Sequence, residues 1–410
     1  MQIHLVHPRD LSDVEVELLR IGAPDSELAP LAGLGVFRTL RIGGMDSAAA
    51  REFKDAMTAA GGAAAMSLEA YDGKSGAADL LLMGTIEAFR RCLDSLRRGA
   101  PDLEPVFRDI SDILLRLDLS AAPAPLRWPD GPMPFGKKTY IMGIINCTPD
   151  SFYDGGRNLA LKSALASARY MIESGADIID VGGESTRPGA EPVPAHEEIN
   201  RTIPFIRELK SEFPDVRISI DTVKAAVASR AFEAGAAMLN DISGLLADPE
   251  MKKVAAESGA PVCIMHIRGT PKNMQNNPTY PGDVCYEINS FFRERIAAAL
   301  EAGVSRSQIV LDPGIGFGKT VEHNLEILSR LREFRAHGLP LLVGASRKSF
   351  IGKALSLQPH DRLEGSLAAA VLAVSGGADI LRVHDVLETT RAAGLADAVV
   401  RKRRMLERAD

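Results

Sequence analysis

Asn146, Asp221, Asn240, Asp312, Lys348, Arg382 and His384 share one habit: each stands at, or a few residues past, the end of a short apolar run. Thr139 to Ile145 is almost wholly apolar, and Asn146, Thr148, Asp150, Ser151 and Asp154 crowd in behind it. Gly182-Gly-Glu-Ser-Thr-Arg-Pro-Gly189 follows a second run, Asp221 a third and Asn240-Asp241 a fourth. Met265-His-Ile-Arg-Gly-Thr-Pro271, Asp312-Pro-Gly-Ile-Gly-Phe-Gly-Lys-Thr320, Ser346-Arg-Lys348 and Arg382-Val-His384 complete the set. Asp221, Asn240, Asp312 and Lys348 can present acceptors and donors in one deep pocket, which suits a flat heterocycle with amino, ring N–H and carbonyl groups. Asn146, Arg187, Arg382 and His384, with the backbone N–H groups of glycine-rich loops, suit a multiply charged anion such as diphosphate. Singly, each has a plainer reading. Asp221 could cap the following helix, Asp312 before Pro-Gly could open a turn, and basic residues on loops are usually solvated.

The elements that must position these residues can be read from periodicity. From Lys138 onward, apolar runs at 139–145, 177–181, 216–220, 236–240, 261–266, 308–312, 340–344 and 379–383 read as buried strands. Amphipathic stretches at 160–174, 196–212, 223–234, 249–258, 283–302, 322–336, 361–375 and 385–406 read as helices. Regular βα alternation predicts a parallel sheet, and eight units in about 270 residues is the size of a closed (β/α)8 TIM barrel, with a doubly wound open sheet as the alternative. In a barrel, polar residues at strand ends converge on one mouth.

Residues 1–120 predict a smaller α/β domain ahead of the barrel. Its expected strands are Gln2 to Val6, Val36 to Ile42, Met66 to Ala70 and Leu80 to Met83. A helix should start at Asp46-Ser47 and run through Met57, and another should run from about Thr85 to Arg98. Gly43-Gly44 and Gly61-Gly62 read as turns. Between Ala121 and Lys138 stand Pro123, Pro125, Pro129, Pro132, Pro134 and the only tryptophan, Trp128. That segment, 121–137, reads as a semi-rigid linker or a strap across the domain that follows at 138–410.

Net charge of −6 with acids and bases interspersed favours neither nucleic acid nor an anionic membrane as partner. No apolar run approaches the ~18 residues of a membrane helix. Four widely spaced cysteines in 410 residues suit a reduced compartment, and with no basic, apolar leader pattern at Met1 the chain reads as cytoplasmic. Gly314-Ile-Gly-Phe-Gly-Lys-Thr320 imitates a phosphate-binding loop, but Pro313 occupies the position where that motif needs its first glycine.

Taken together, the motifs Asn146-Cys-Thr-Pro-Asp-Ser-Phe, Asp180-Val-Gly-Gly-Glu-Ser-Thr-Arg-Pro-Gly, Ile220-Asp-Thr, Asn240-Asp-Ile, Met265-His, Leu311-Asp-Pro-Gly-Ile-Gly-Phe, Ser346-Arg-Lys and Arg382-Val-His-Asp resemble dihydropteroate synthases over about 138–405. The resemblance implies a barrel that joins 6-hydroxymethyl-7,8-dihydropterin diphosphate to 4-aminobenzoate, with Mg2+ and as a homodimer. It implies that Asp221, Asn240, Met265, Asp312 and Lys348 hold the pterin. Asn146, Arg187, Arg382 and His384 would hold diphosphate, with Asn146 touching Mg2+. Thr186, Pro188, Phe317 and Ser346 would form the aminobenzoate pocket, completed as the loops 147–156 and 184–191 close. Asp150 would lie near the developing cation, and Asp150, Lys348, Arg382 and His384 would be the catalytic residues. A methyltetrahydrofolate methyltransferase would share the pterin-binding barrel but would have no use for Ser346-Arg-Lys348 and Arg382-Val-His384. A non-catalytic pterin-binding scaffold would not need polar residues intact at every loop.

Overall fold

The structure, a computed structural model, describes residues 3–97, 99, 101–116, 122–147, 157–187 and 189–401. The chain divides into two compact units between Ala121 and Ala122.

The first unit runs α1 (Leu11–Arg20), α2 (Asp25–Gly35), β1 (Phe37–Asp46), α3 (Ser47–Ala59), β2 (Ala63–Met66), α4 (Leu68–Tyr71), β3 (Ala77–Thr85), α5 (Ile86–Leu96) and α6 (Glu104–Arg116). Its strands form an antiparallel sheet in the order β1-β3-β2. Asp46 caps α3 by accepting from the Ala48 and Ala49 N–H groups, and Thr85 caps α5 through Ala88. Alternation along β3 turns Ala78, Leu80 and Leu82 inward, onto Phe53 and Met57 of α3 and Phe89 of α5. Three expectations fail here. Ile3–Val6 carries no strand, being exposed with no partner strand to satisfy its backbone. Leu68–Tyr71 is a helical turn, and the strand precedes it at Ala63–Met66, where alanines pass the β-propensity test poorly but pair with β3. Gly43-Gly44 lies inside β1, at a register shift between Ile42 and Met45, instead of making a turn.

The second unit is a barrel built from β4 (Tyr140–Asn146), α7 (Arg157–Glu173), β5 (Ile178–Gly182), α8 (Ala195–Glu212), β6 (Arg217–Asp221), α9 (Ala225–Ala234), β7 (Met238–Asp241), α10 (Met251–Ser258), β8 (Val262–Met265), α11 (Val284–Glu301), β9 (Ile309–Asp312), α12 (Val321–Ser329), β10 (Leu342–Val343), α13 (Ser349–Leu355), α14 (Leu363–Ser375), β11 (Ile380–Val383) and α15 (Val386–Val400). All eight strands are parallel in the order β10-β11-β4-β5-β6-β7-β8-β9. The ring closes between β9 and β10 through the Leu311–Leu341 bridge, where the Leu311 N–H donates to the Pro340 carbonyl at 2.9 Å. This is the (β/α)8 architecture.

Each strand alternates its side chains between two environments. Outward residues such as Ile141, Ile179, Ile218, Leu239, Ile264, Leu311, Val343 and Leu381 pack under the helices. Inward, the floor is apolar: Met142, Ile178, Met238, Cys263, Val310, Leu342 and Ile380. Leu126, Trp128, Met133 and Phe135 join that floor from the proline-rich segment. The segment is therefore a strap, not a free linker: Leu126 and Met133 pair backbone to backbone, and the Tyr140 hydroxyl donates to the Pro134 carbonyl at 2.6 Å.

The first strand and the last helix are joined by a buried latch. Thr139 donates both its N–H and its Oγ1 hydroxyl to the Asp397 carboxylate, each at 2.7 Å. Arg401 donates to Asp397 at 2.8 Å, to the Thr139 hydroxyl and to the Ala378 carbonyl at 2.6 Å.

Candidate active site

One step above the apolar floor, the inward positions turn polar. Asp180 on β5, Asp221 ending β6, Asn240 on β7, Asp312 ending β9 and Arg382 on β11 occupy the next layer, and all are buried or nearly so. The change is a matter of register, two residues along each strand from Ile178, Met238, Val310 and Ile380.

Arg382 organises one half of this layer. Its Nε donates to Asp180 Oδ2 at 2.6 Å and its Nη2 to Asp221 Oδ2 at 2.7 Å. Asn240 Nδ2 donates to the same Asp180 oxygen at 3.1 Å, while Asp180 Oδ1 is buried with no hydrogen-bond partner among the described residues. Burial pushes the Asp221 carboxyl up to about 7 despite Arg382, and the charge of Asp180 pushes the same way. Burial alone would lower Arg382, yet Asp180 and Asp221 hold it above its usual value.

Lys348 organises the other half. Its ammonium donates to the Ile315 carbonyl and lies 4.4 Å from the centre of the Phe317 ring. Burial lowers it to about 8, with Asp312 opposing that shift. Asp312 is in turn raised by burial, against Lys348 and the Gly314 N–H that donates to its Oδ1 at 2.7 Å. Arg347, between Ser346 and Lys348, has φ of +55°, a costly conformation for a residue with a side chain. It is held there by a two-pronged ion pair to Asp385, at 2.8 and 2.6 Å, and by its N–H donating to Ser366. The loops after β10 and β11 are thereby tied together. Ser346 Oγ accepts from the His384 N–H at 3.2 Å and lies 3.2 Å from His384 Nδ1. Burial, and Arg382 after it, lowers His384 to about 4, so its imidazole is neutral.

The phosphate-loop imitation has another use. Gly314, at φ +67°, passes so close to the His266 carbonyl that a Cβ would stand 1.9 Å from it. Lys319 turns inward, and its buried ammonium meets His266 Nδ1 at 3.0 Å and the carbonyls of His266, Gly314 and Phe317 at 3.2, 2.9 and 3.1 Å. A lysine spent on three carbonyls knits two loops and is not available to an anion. Phe317 and Met265 pack with Ile242 and Met274 as an apolar wall beside Lys348.

Asn146 ends β4, and both its Oδ1 and Asp221 Oδ2 come within 4 Å of the point a Gly182 Cβ would occupy. Asn146, Asp221, Asn240, Met265, Asp312, Phe317, Ser346, Lys348, Arg382 and His384 thus gather at the carboxyl ends of the strands. Thr186 is half-buried and Arg187 exposed on the loop after β5, and the Arg187 side chain makes no ion pair among the described residues. Asp150 and Pro188 lie outside the described residues. Asp180 and Lys319 were not expected as part of this site; the signal for Asp180 is a lone acid inside the apolar run Ile178-Ile-Asp-Val. Among the described residues no three His, Cys, Asp or Glu side chains gather as a metal cage. A hard divalent ion here would find the Asn146 amide oxygen and take its other oxygens from ligand and water, the habit of Mg2+.

Residues 142–384 match the family described as "Pterin binding enzyme". A dihydropteroate synthase of a Synechocystis species is 52% identical over 268 residues, covering 65% of this chain and 92% of its own. The crystal structure of Yersinia pestis dihydropteroate synthase with a sulfonamide drug complex is 45% identical and superposes with a TM-score of 0.63, covering 67% of this chain and 99% of its own. A Haloferax volcanii protein described as a bifunctional folylpolyglutamate synthase/dihydropteroate synthase is 38% identical over 399 residues, 95% of this chain and 46% of its own.

Proposed function

The chain belongs to the dihydropteroate synthases of the pterin-binding enzyme family, and on that premise we propose how its own residues carry the reaction. It is a transferase of folate biosynthesis, condensing 6-hydroxymethyl-7,8-dihydropterin diphosphate with 4-aminobenzoate to give 7,8-dihydropteroate and diphosphate. Asp221 and Asp312 accept hydrogen bonds from the amino and ring N–H groups of the pterin, Asn240 and Lys348 complete its polar edge, and Met265 packs against it. Arg382, Asn146, Arg187 and neutral His384 receive the diphosphate. We assign Thr186, Phe317 and Ser346, together with Pro188, to the aminobenzoate side, the pocket through which a sulfonamide would compete. To Asp150 we assign stabilisation of the developing cation.

The arylamine is a weak nucleophile, so the enzyme gains most by easing departure of the leaving group. The methylene C–O bond breaks with both electrons going to diphosphate, the electron-rich pterin supports the positive carbon, and the arylamine lone pair then forms the C–N bond. The proton on that nitrogen leaves to water, so no strong general base is needed. Asn146 would hold Mg2+, which would supply charge neutralisation on the leaving diphosphate oxygens.

The observation that carries this reading is the single buried layer holding Asp180–Arg382–Asp221–Asn240 beside Asp312–Lys348. The test is diphosphate release by the full chain given both substrates and Mg2+. Release should require aminobenzoate, and Lys348→Ala should lower it at least tenfold, the cost of one charged hydrogen bond being about 1.5–3 kcal/mol. Release that ignores either change sinks the reading.

A homodimer is supported by the apolar side chains that α12, α14 and α15 leave exposed, among them Leu325, Leu372, Leu395 and Val399. Leu395→Glu should then sediment as a monomer. No helix among the described residues is long and apolar enough to cross a membrane, and four free, buried cysteines support a cytoplasmic enzyme.

A further inference from the structure

Three residues beyond Asp221, at the N-terminal edge of α9, stands a lysine to which the reaction above gives no role. The Lys224 ammonium donates to the Glu184 carboxylate and to Glu198 Oε2, the latter at 2.7 Å. The two acids belong to different elements. Glu198 is on α8 and fully buried, its other carboxylate oxygen having no hydrogen-bond partner among the described residues. Glu184 opens the loop after β5, and its Oε2 also accepts from the Val193 N–H at 2.9 Å, so the loop is closed on itself at the same atom that Lys224 holds.

Further contacts fix this loop. Arg201 on α8 donates to the Gly183 carbonyl at 2.9 Å. Gly183 is pressed against α8 so closely that a Cβ would stand 2.8 Å from both Glu198 Cγ and Thr202 Cγ2. On the far side, the Gly189 N–H donates to the Pro271 carbonyl at 3.1 Å, and Glu191 pairs with Lys272 at 2.9 Å. Thr186 and Arg187 sit between the two attachments. The Glu191–Lys272 pair is exposed and contributes little. The root is different, because its lysine is shielded and one of its acids is wholly buried.

We propose that Lys224 is a positioning residue for 4-aminobenzoate: by bridging Glu184 and Glu198 it sets the loop bearing Thr186 and Arg187 relative to the pterin carboxylate Asp221, which precedes it on the same strand end. This rests on the assignment of Thr186 to the aminobenzoate side. An ammonium suits the task because it is a compact charge with three donors that two carboxylates from different directions can share. Without it, Glu184 and Glu198 would face each other as like charges, and the loop root would move outward.

The test compares Lys224→Met, Lys224→Arg, Glu184→Gln and Thr186→Ala in the full chain, reading KM for aminobenzoate and kcat by diphosphate release, and Kd for dihydropterin diphosphate by calorimetry. Lys224→Met and Glu184→Gln should each raise the aminobenzoate KM about tenfold, the worth of one charge-assisted hydrogen bond, with pterin Kd within about twofold of the parent. Lys224→Arg should recover most of the loss. Should Lys224→Met fail to fold because Glu198 is left unpaired, Glu184→Gln decides, since it keeps an acceptor for Val193 and removes only the charge. An unchanged aminobenzoate KM in Glu184→Gln, with Thr186→Ala raising it, overturns the positioning role and leaves the loop's assignment standing. If Thr186→Ala also leaves that KM unchanged, the aminobenzoate assignment falls and the proposal with it. A parallel loss of pterin affinity would mark the bridge as scaffold alone.

Discussion

Two buried groups of opposite sign titrate close together at the pterin subsite, and that proximity makes binding a function of pH. Asp221 loses its proton as pH rises through about 7, and Lys348 loses its own through about 8. An anionic Asp221 beside a cationic Lys348 is thus most populated between those values. The affinity for 6-hydroxymethyl-7,8-dihydropterin, a ligand free of titrating phosphates, should peak between pH about 7 and 8 and fall on either side. Lys348→Arg should carry the alkaline limb upward, and Asp221→Asn should flatten the acid limb while weakening binding throughout. A fluorescence titration that stays level from pH 5.5 to 9 would refute the assignment of both residues. Most of these side chains were legible in the sequence because they sit where a strand ends, and a strand end is visible as a change from apolar to polar. Asp180 was not, because it lies two residues inside its strand, where an inward acid and an outward isoleucine look alike until the register is known. Lys319 was hidden differently: its motif suggests an anion site, and only the carbonyls around it reveal that it faces inward.

At the scale of elements, the eight strands fall within a few residues of where periodicity puts them, since parallel strands buried on both faces stand out as unbroken apolar runs. The short α13 was missed because seven residues hold too little periodicity to register. The helix expected over 322–336 divides into α12 and a 3-10 segment, Leu331–His337. The strap is one of the two readings that composition alone allowed. Its prolines forbid helix and inner strand, as expected, but its Leu126, Trp128, Met133 and Phe135 supply the barrel floor. Met133→Ala should therefore cost about 2–5 kcal/mol of barrel stability, measured by urea unfolding with the fluorescence of Trp128, the only tryptophan, as the built-in reporter. A chain beginning at residue 122 should unfold cooperatively, whereas one beginning at residue 138 should not. Equal behaviour of the two would mean that the strap is dispensable.

Across the whole molecule, the first unit has its own core, centred on Phe53, Met57, Leu80, Leu82, Phe89 and Phe107. Phe53, fully buried with its ring 5.7 Å from that of Phe107, is the place to test its independence. Phe53→Ala should cost that unit about 3–5 kcal/mol, seen as lost hydrogen-exchange protection within residues 37–114, with diphosphate release unchanged. A matching fall in release would show that the barrel depends on it. The sequence marks this unit by the proline run that follows it, but its helices at 11–20, 25–35 and 104–116 were not among the expected elements; only 25–35 lacks an apolar stripe, and Phe107, Ile110 and Leu114 bury one face of the last. The Synechocystis and Yersinia relatives match about two thirds of the chain, whereas the Haloferax relative runs through 95% of it.

The latch between Thr139 and Asp397 joins residues 258 positions apart. A ribosome makes the first barrel strand long before it makes the helix that locks it. At roughly 5–20 residues per second, the interval is on the order of tens of seconds. For that time the nascent barrel is an open sheet with two unpaired edges, and its apolar floor is covered from one side only by the strap that emerged just ahead of it. The strap precedes the barrel in the chain, so synthesis delivers the plug before the walls it must fill.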